Sequence, residues 1–240
     1  MIGKWHLGLN CNNSEDACHH PMNMGFDEFY GLPLTNLRDC GPREEGSVFV
    51  FELRVIIFSF VLASVGLAVA LAYTGILSKK SALIFVIVSV ICIVVTPLLL
   101  HSMAKKYVCL LMRGFDVVEQ PTILENLTVR FTDEAKHFIQ SQKEKPFLLF
   151  MSYVKVHAVL FSSPKFVGHS AHSRYGDNVE EMDWSVGEIV SALEKENVFE
   201  NTFVYFTSDQ GAYLEIILPS GEHLGGWNGQ YRGGKLIYSF

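Results

Sequence analysis

The chain has 240 residues, of which 49% are hydrophobic and 18% charged, with a formal net charge of −6 at pH 7. The length allows one sizeable domain with its own core, but a mean hydropathy of +0.24 is too high for an ordinary soluble domain and indicates a membrane segment. No basic run with interleaved aromatic side chains occurs, so nucleic acid is not an expected partner. No signal peptide precedes the first motif.

The first motif places a lysine and a histidine two residues apart between glycines, in Gly3-Lys4-Trp5-His6-Leu7-Gly8. On a strand, Lys4 and His6 would share one face. A cation beside an imidazole can bind an oxyanion and help to move a proton. Trp5, like Trp184 further along, is expected to pack rather than to act in a site.

Four of the five cysteines lie outside the long apolar runs and fit a disulfide framework in an oxidising compartment. Cys11 and Cys18 can close a short loop, and Cys40 and Cys109 could link the two ends of the segment between them. Zinc is an alternative for the first pair, because two histidines follow Cys18. Cys92 lies inside an apolar run and is predicted to be a small core residue.

Two glycosylation sequons agree with a lumenal location. They begin at Asn12, in Asn-Asn-Ser, and at Asn126, in Asn-Leu-Thr.

Two uncharged apolar runs, 55–77 and 83–100, are long enough to cross a bilayer as helices. The turn between them, 78–82, contains Lys79 and Lys80. Two adjacent spans return the chain to its starting side, so both flanks would share a compartment. A buried helical hairpin in a soluble core is the alternative. The interpretation divides the chain into a first catalytic part, 1–54, a transmembrane hairpin, 55–100, and a second, incomplete catalytic part, 101–240.

After the hairpin, helical and strand patterns alternate. A stripe from Leu124 to Ile139 predicts a helix, and the run 147–151 predicts a strand buried on both faces. After a loop at 162–176, Asp177 is predicted to cap a second helix, with Glu180 and Glu181 in its first turn. The run 203–206 predicts another strand. This alternation is typical of a parallel sheet with helices on its faces.

Ligands of such sheets gather at the carboxyl ends of the strands. There, His157 could act as an acid, a base or an anion ligand, or could be purely structural. Asp209 and Gln210 offer hard oxygen ligands for calcium or magnesium, or could form a turn. Lys235 follows two glycines, which suits an anion site but also any surface loop.

Several segments together resemble the sulfatase family, and within it the membrane-anchored subgroup of steryl-sulfatase and the type D, E, F and H arylsulfatases. The segments that carry the resemblance are Gly3 to Gly8, the Cys11 to Cys18 loop, His19-His20-Pro21, 25–31, 35–40, the hairpin, 180–184 and 206–211. The resemblance covers residues 1 to about 235. It implies a partial alkaline-phosphatase-like α/β fold with an inserted two-helix transmembrane hairpin.

The resemblance also implies hydrolysis of aryl or steroid sulfate esters, with a formylglycine nucleophile and a calcium ion. It assigns Asp209 and Gln210 to the metal, Lys4 and His6 to the sulfate and the nucleophile, and His157 and Lys235 to the sulfate and the leaving oxygen. Relatives often have a second histidine two residues before His157, where this chain has Lys155. The expected location is the endoplasmic reticulum or secretory pathway, with the bilayer contacted through the hairpin.

The nucleophile motif of the family, Cys-x-Pro-x-Arg, does not occur in these 240 residues. The first metal-binding aspartates of the family are also unmatched, so the expected calcium site is incomplete. The sequence is therefore expected to be truncated at both ends, unstable and inactive, with exposed sheet edges. The alternatives are a non-enzymatic membrane protein, associated with full-length relatives or arising from a gene-model artefact, and a phosphoesterase of the same fold.

Overall fold

A computed structural model describes residues 1–36, 40–41, 48–157, 159–214, 217 and 221–231, without the side chains of 48–55, 97, 101 and 102. The chain divides into two compact units: Met1–Asn36 with Cys109–Phe240, and Leu37–Val108. The first combines a sheet with helices, which confirms the predicted α/β class. The predicted boundaries at residues 54 and 100 remain a prediction.

The sheet of the first unit contains five strands among the described residues, in the order β4-β3-β2-β1-β5. The strands are β1 (Ile2–Lys4), β2 (Tyr30–Leu32), β3 (Leu111–Arg113), β4 (Asp116–Glu119) and β5 (Met151–Ser152). β1 pairs in parallel with β2 and β5, whereas β2–β3 and β3–β4 are antiparallel. The sheet is thus mixed, and only its β2-β1-β5 part has the predicted parallel arrangement.

The two strands predicted after the hairpin differ from the structure. Of the run 147–151, only Met151 belongs to β5, although the carbonyl of Phe150 accepts a hydrogen bond from Ile2 N at 3.0 Å. The run 203–206 forms no strand, and Phe203 is 89% exposed. A strand requires a neighbour for its backbone groups, and within the described part of the chain no strand pairs with this run.

Helix α3 (Leu127–Gln142) covers one face of the sheet. Its residues Leu127, Phe131, Ala135 and Ile139 recur every four positions and are almost completely buried. Phe131 meets Tyr30 of β2 edge to face, with ring centroids 5.7 Å apart. The predicted stripe is confirmed, although the helix begins three residues after Leu124.

The opposite face of the sheet carries a second apolar cluster. Met1, Phe29 and Met112 form its buried centre, and Trp5 packs against them as predicted. These residues alternate in sequence with the side chains that face α3, as the two-residue period of a strand requires.

Helix α4 (Ser173–Lys195) packs against α3. The predicted cap is wrong, because the helix begins four residues before Asp177. The buried Asp177 carboxylate instead accepts hydrogen bonds from the backbone N–H groups of Gly168 and Ser170, both at 2.8 Å. Glu180 and Glu181 accordingly lie beyond the first turn, while Trp184 packs beside Phe166 as expected.

The second unit contains α1 (Val48–Tyr73) and α2 (Lys79–Val108), which pack against each other. α1 begins before the predicted run 55–77 but ends four residues short of it, whereas α2 extends beyond the run 83–100 at both ends, so that Lys79 and Lys80 begin α2 instead of lying in the connecting turn. The spans Ile56–Tyr73 and Lys79–Val108 are long and apolar enough to cross a membrane. Their described side chains are mostly exposed, Cys92 included, which contradicts its predicted core position and does not fit a helix of a soluble core.

Candidate anion site at the sheet edge

Three parallel strands end at one edge of the sheet, and each is followed by polar residues. Lys4 ends β1, Thr35 and Asn36 follow β2, and Lys155 and His157 follow β5. Because neighbouring parallel strands present their carboxyl ends together, residues more than 120 positions apart reach the same edge. The side chains of Lys4 and His157 are both half-buried.

The strands can lie this close only because two of their residues are glycines. A Cβ atom on Gly3 would lie 1.8 Å from the carbonyl oxygen of Ser152, and one on Gly31 would lie 1.8 Å from that of Gly3. Both distances are far below contact, so any larger residue would separate the strands. The first glycine of the Lys-x-His motif therefore serves strand packing.

The structure corrects the predicted geometry of the Lys-x-His motif. β1 ends at Lys4, after which Trp5 N and His6 N donate to the carbonyls of Leu32 (2.9 Å) and Pro33 (3.2 Å). His6 has a φ of 62°, a left-handed conformation that is uncommon outside glycine and recurs at functional sites. Lys4 and His6 therefore do not share a strand face, and the exposed His6 lies in the turn beyond β1.

Asn36 connects the exit of β2 to the segment that carries His157. It is completely buried, and its amide donates to the carbonyls of His157 (3.2 Å) and Val159 (2.9 Å). Its amide oxygen accepts from the hydroxyl of Thr35 at 3.1 Å. Sequence reasoning missed this role, although a polar pair three residues after a buried strand could have indicated it.

Lys155, two residues before His157, is buried beside a carboxylate of α4. Its ammonium lies 2.9 Å from Oε2 of Glu181, and the two side chains are 1% and 0% exposed. Burial lowers the pKa of Lys155, and the charge of Glu181 partly offsets this effect. This pair could not be predicted from sequence patterns, because 26 positions separate its members.

The disulfide framework agrees with the prediction. Cys11 and Cys18 form a disulfide with their Cα atoms 5.8 Å apart, and Cys40 and Cys109 are both disulfide-bonded. Cys11, Cys18 and His19 form the one group of three potential metal ligands found in the described part of the chain. Since both sulfurs of this group are already bonded, the zinc alternative loses its thiolates.

Comparison with known proteins decides the family. The sulfatase family profile matches residues 1–239. The chain belongs to the sulfatase family. It is 46% identical to human steryl-sulfatase over 241 residues, which cover 98% of the chain and 41% of that protein. It is 41% identical to human arylsulfatase D and to human arylsulfatase H, each over 98% of the chain. This sulfatase chain thus spans about two fifths of the length of these relatives.

Solved structures support the sulfatase fold. One comes from work on glycosaminoglycan metabolism by Bacteroides thetaiotaomicron and has a TM-score of 0.56 at 20% identity, covering 98% of this chain and 48% of that one. A second, the crystal structure of Ps i-CgsB, has a TM-score of 0.52 at 20% identity, covering 92% and 42%. The predicted sulfatase fold is therefore confirmed.

The predicted site of this sulfatase chain is brought together only in part. Lys4, His6 and His157 belong to one sheet edge, but Asp209 and Gln210 are exposed in a segment outside the sheet. Lys235 lies outside the described residues. Calcium takes six to eight oxygen ligands, and two exposed neighbours do not fit this requirement alone. The described residues therefore place a lysine and two histidines at one sheet edge and do not bring together a set of calcium ligands.

Proposed function

We propose that this chain is part of a membrane-anchored sulfatase that hydrolyses aryl or steroid sulfate esters, and that it supplies the cationic side of the sulfate site. The proposal rests on one observation: the parallel strands β1 and β5 end at the same edge of the sheet, where Lys4, His6 and His157 follow or end them. A lysine ammonium can balance the charge of a sulfate group, and a neighbouring imidazole can donate a hydrogen bond or a proton to an ester oxygen.

We propose the formylglycine and calcium chemistry of the family for the whole enzyme, with Asp209 and Gln210 as two of the calcium ligands and Lys235 beside the leaving oxygen. Formylglycine would supply the nucleophile. The 240 residues lack Cys-x-Pro-x-Arg, so this chain alone should bind sulfate without turning over a sulfate ester.

The proposed location is the lumenal side of the endoplasmic reticulum or the secretory pathway, with α1 and α2 in the bilayer. The Cys11–Cys18 disulfide supports an oxidising compartment. The sequon residues Asn12 and Asn126 are both exposed, as glycosylation requires. The outward-facing apolar side chains of both helices support contact with lipid.

Anion binding tests the proposed function. Inorganic sulfate should quench or shift the fluorescence of Trp5, which lies between Lys4 and His6, and Lys4→Met should weaken this binding about tenfold or more, the effect expected for loss of a charge-assisted hydrogen bond. Lys145→Met is the matched control, because Lys145 is an exposed lysine in the turn after α3.

A fluorogenic aryl sulfate should not be hydrolysed by the purified 240-residue chain. Turnover of this substrate would contradict the proposed dependence on Cys-x-Pro-x-Arg. Equal sulfate binding by Lys4→Met and Lys145→Met would contradict the assigned site, and selective binding of phosphate would favour the phosphoesterase alternative.

A further inference from the structure

Lys155 closes the segment that carries His157 into a loop. Its ammonium donates to the carbonyl of Phe161, six residues further along, and lies 4.4 Å from the centroid of the Phe161 ring. His157 lies within the segment spanned by this contact, and its backbone N–H donates to the carbonyl of Val154 at 3.2 Å. One side chain thus fixes the distance between the two ends of the loop.

Helix α4 holds the far end of this loop through a buried polar face. Glu181 Oε2 accepts from the backbone N–H of Ser163 at 3.0 Å, in addition to its ion pair with Lys155. Asn178 accepts from Lys155 through Oδ1 at 3.1 Å and donates to the hydroxyl of Ser162 at 3.0 Å. Both helix residues are almost completely buried.

The near end of the loop is held independently by Asn36, which donates to the carbonyls of His157 and Val159. The loop is therefore fixed from β2 on one side and from α4 on the other. Backbone carbonyls and N–H groups are the anchoring points, so the polypeptide path itself is held, as the accurate placement of His157 would require.

A buried ion pair contributes less to stability than apolar side chains of the same volume. The reason is the free-energy cost of removing both charges from water. Among the described residues, moreover, none forms a hydrogen bond with the buried Oε1 of Glu181. Packing alone therefore does not account for the pair, whereas a requirement for fixed loop geometry does.

We propose that Lys155 and Glu181 are positioning residues that lock the loop of residues 155–163 and thereby place His157 at the anion site. The functional importance of placing His157 rests on the proposed function. The lock, which is the restraint of residues 155–163 by Lys155 and Glu181, can be tested independently of that function.

The decisive variant replaces the whole ion pair by apolar side chains of similar length, Lys155→Met with Glu181→Met. Because no charge is left unpaired, this double variant should stay folded and lose less stability in urea than either single variant, although the Ser163 N–H and the Phe161 carbonyl lose their partners. Amide hydrogen exchange of residues 155–163 should nevertheless become about tenfold faster or more, since Ser163 and Phe161 lose their anchors. The 13C-labelled ring signal of His157, assigned by its loss in His157→Gln, should shift or broaden.

The matched control is Lys143→Met with Glu196→Met, which removes an ion pair of 2.7 Å at the other end of the α3–α4 pair. It should change neither the exchange of residues 155–163 nor the His157 signal. Wild-type exchange and an unchanged His157 signal in the Lys155/Glu181 double variant would overturn the proposal.

A measurement on the wild-type chain tests the proposal even if the double variant misfolds. Residues 155–163 should exchange as slowly as the buried face of α4, and an unprotected loop in the full chain would by itself overturn the lock. Titration with inorganic sulfate separates the two proposals: no sulfate binding by a chain with a protected loop would refute the anion site and leave the lock standing.

Discussion

The carboxylate of Asp16 accepts four backbone hydrogen bonds within the disulfide loop. It accepts hydrogen bonds from the backbone N–H groups of Cys11 (2.9 Å), Asn12 (2.7 Å), Asn13 (3.2 Å) and Cys18 (3.3 Å). These bonds, the one from Cys11 foremost, lower the pKa of Asp16 to about 2. The loop therefore depends on the ionised form of this side chain.

This dependence predicts an acid-sensitive loop. The pKa of Asp16 is lower in the folded than in the unfolded chain, so its stabilisation is fully present above pH about 4 and is lost as the pH falls towards about 2. Asp16→Asn should speed hydrogen exchange of residues 10–19 at pH 5 to 6, and the difference from wild type should vanish near pH 2. Glu15→Gln, which removes a charge from the same loop, is the control. A difference that persists at pH 2 would contradict the role assigned to ionisation.

Individual side-chain contacts, such as those of Asp16, limit what can be predicted from the sequence. The place of His157 after a strand could be predicted because an apolar run precedes it, whereas the roles of Lys4, His6 and His157 remain predictions. Lys155 and Glu181 could not be paired in advance, because their contact depends on how the loop after β5 returns to α4. Asp177 was misplaced for another reason: its carboxylate accepts hydrogen bonds from the loop just before α4, and no pattern in the sequence distinguishes that role from a helix cap.

At the scale of elements, α3 and α4 are joined by polar as well as apolar contacts. The hydroxyl of Ser185 on α4 lies 2.6 Å from that of Thr132 on α3 and 2.8 Å from that of Tyr153, next to β5. Thr132 also donates to the carbonyl of Thr128. Ser185 thus forms hydrogen bonds both to α3 and to the residue that follows β5. Burial raises the pKa of Tyr153, and a buried hydroxyl requires a hydrogen-bond partner such as Ser185.

Ser185→Ala should lower the free energy of unfolding by about 1–3 kcal/mol, because it leaves the buried Tyr153 hydroxyl without its partner. Adding Tyr153→Phe should recover most of this loss, since no polar group then remains unsatisfied. Urea unfolding of both variants measures the effect, with the exposed Ser141→Ala as control. Additive losses in the double variant would show that the two hydroxyls do not interact.

Helices were predicted better than strands, and the reason is physical. The apolar stripes of α3 and α4 are properties of one segment, so the sequence contains the whole signal. A strand exists only with its neighbour, and the run 203–206 has strand composition but no described partner. β3 and β4 were missed altogether, because each is very short, and β3 depends on β2 and β4 on β3 for its pairing.

At the scale of the whole molecule, the exposed apolar surfaces of α1 and α2 predict insertion into a bilayer. Leu62→Arg, near the middle of the span Ile56–Tyr73, should cost about 2.5–3.5 kcal/mol of insertion free energy. Tyr73→Arg, at the end of the span, should cost much less, because a long side chain there can reach the interface. Insertion into microsomes, scored by alkaline extraction, measures both. Equal extraction of wild type and Leu62→Arg would contradict the transmembrane assignment.

The position of these helices in the chain has a consequence for how the domain can be engineered. Residues 37–108 are inserted between β2 and β3, which are direct antiparallel neighbours with Gly31 opposite Met112. Antiparallel neighbours can be joined by a turn of two residues. The insertion is therefore a greatly enlarged hairpin loop, and a short turn in its place would leave every strand pairing of the sheet intact. The architecture thus permits the sheet and its edge to be obtained without the apolar helices by excision, provided that Cys109 is replaced, because excision removes the disulfide-bonded Cys40.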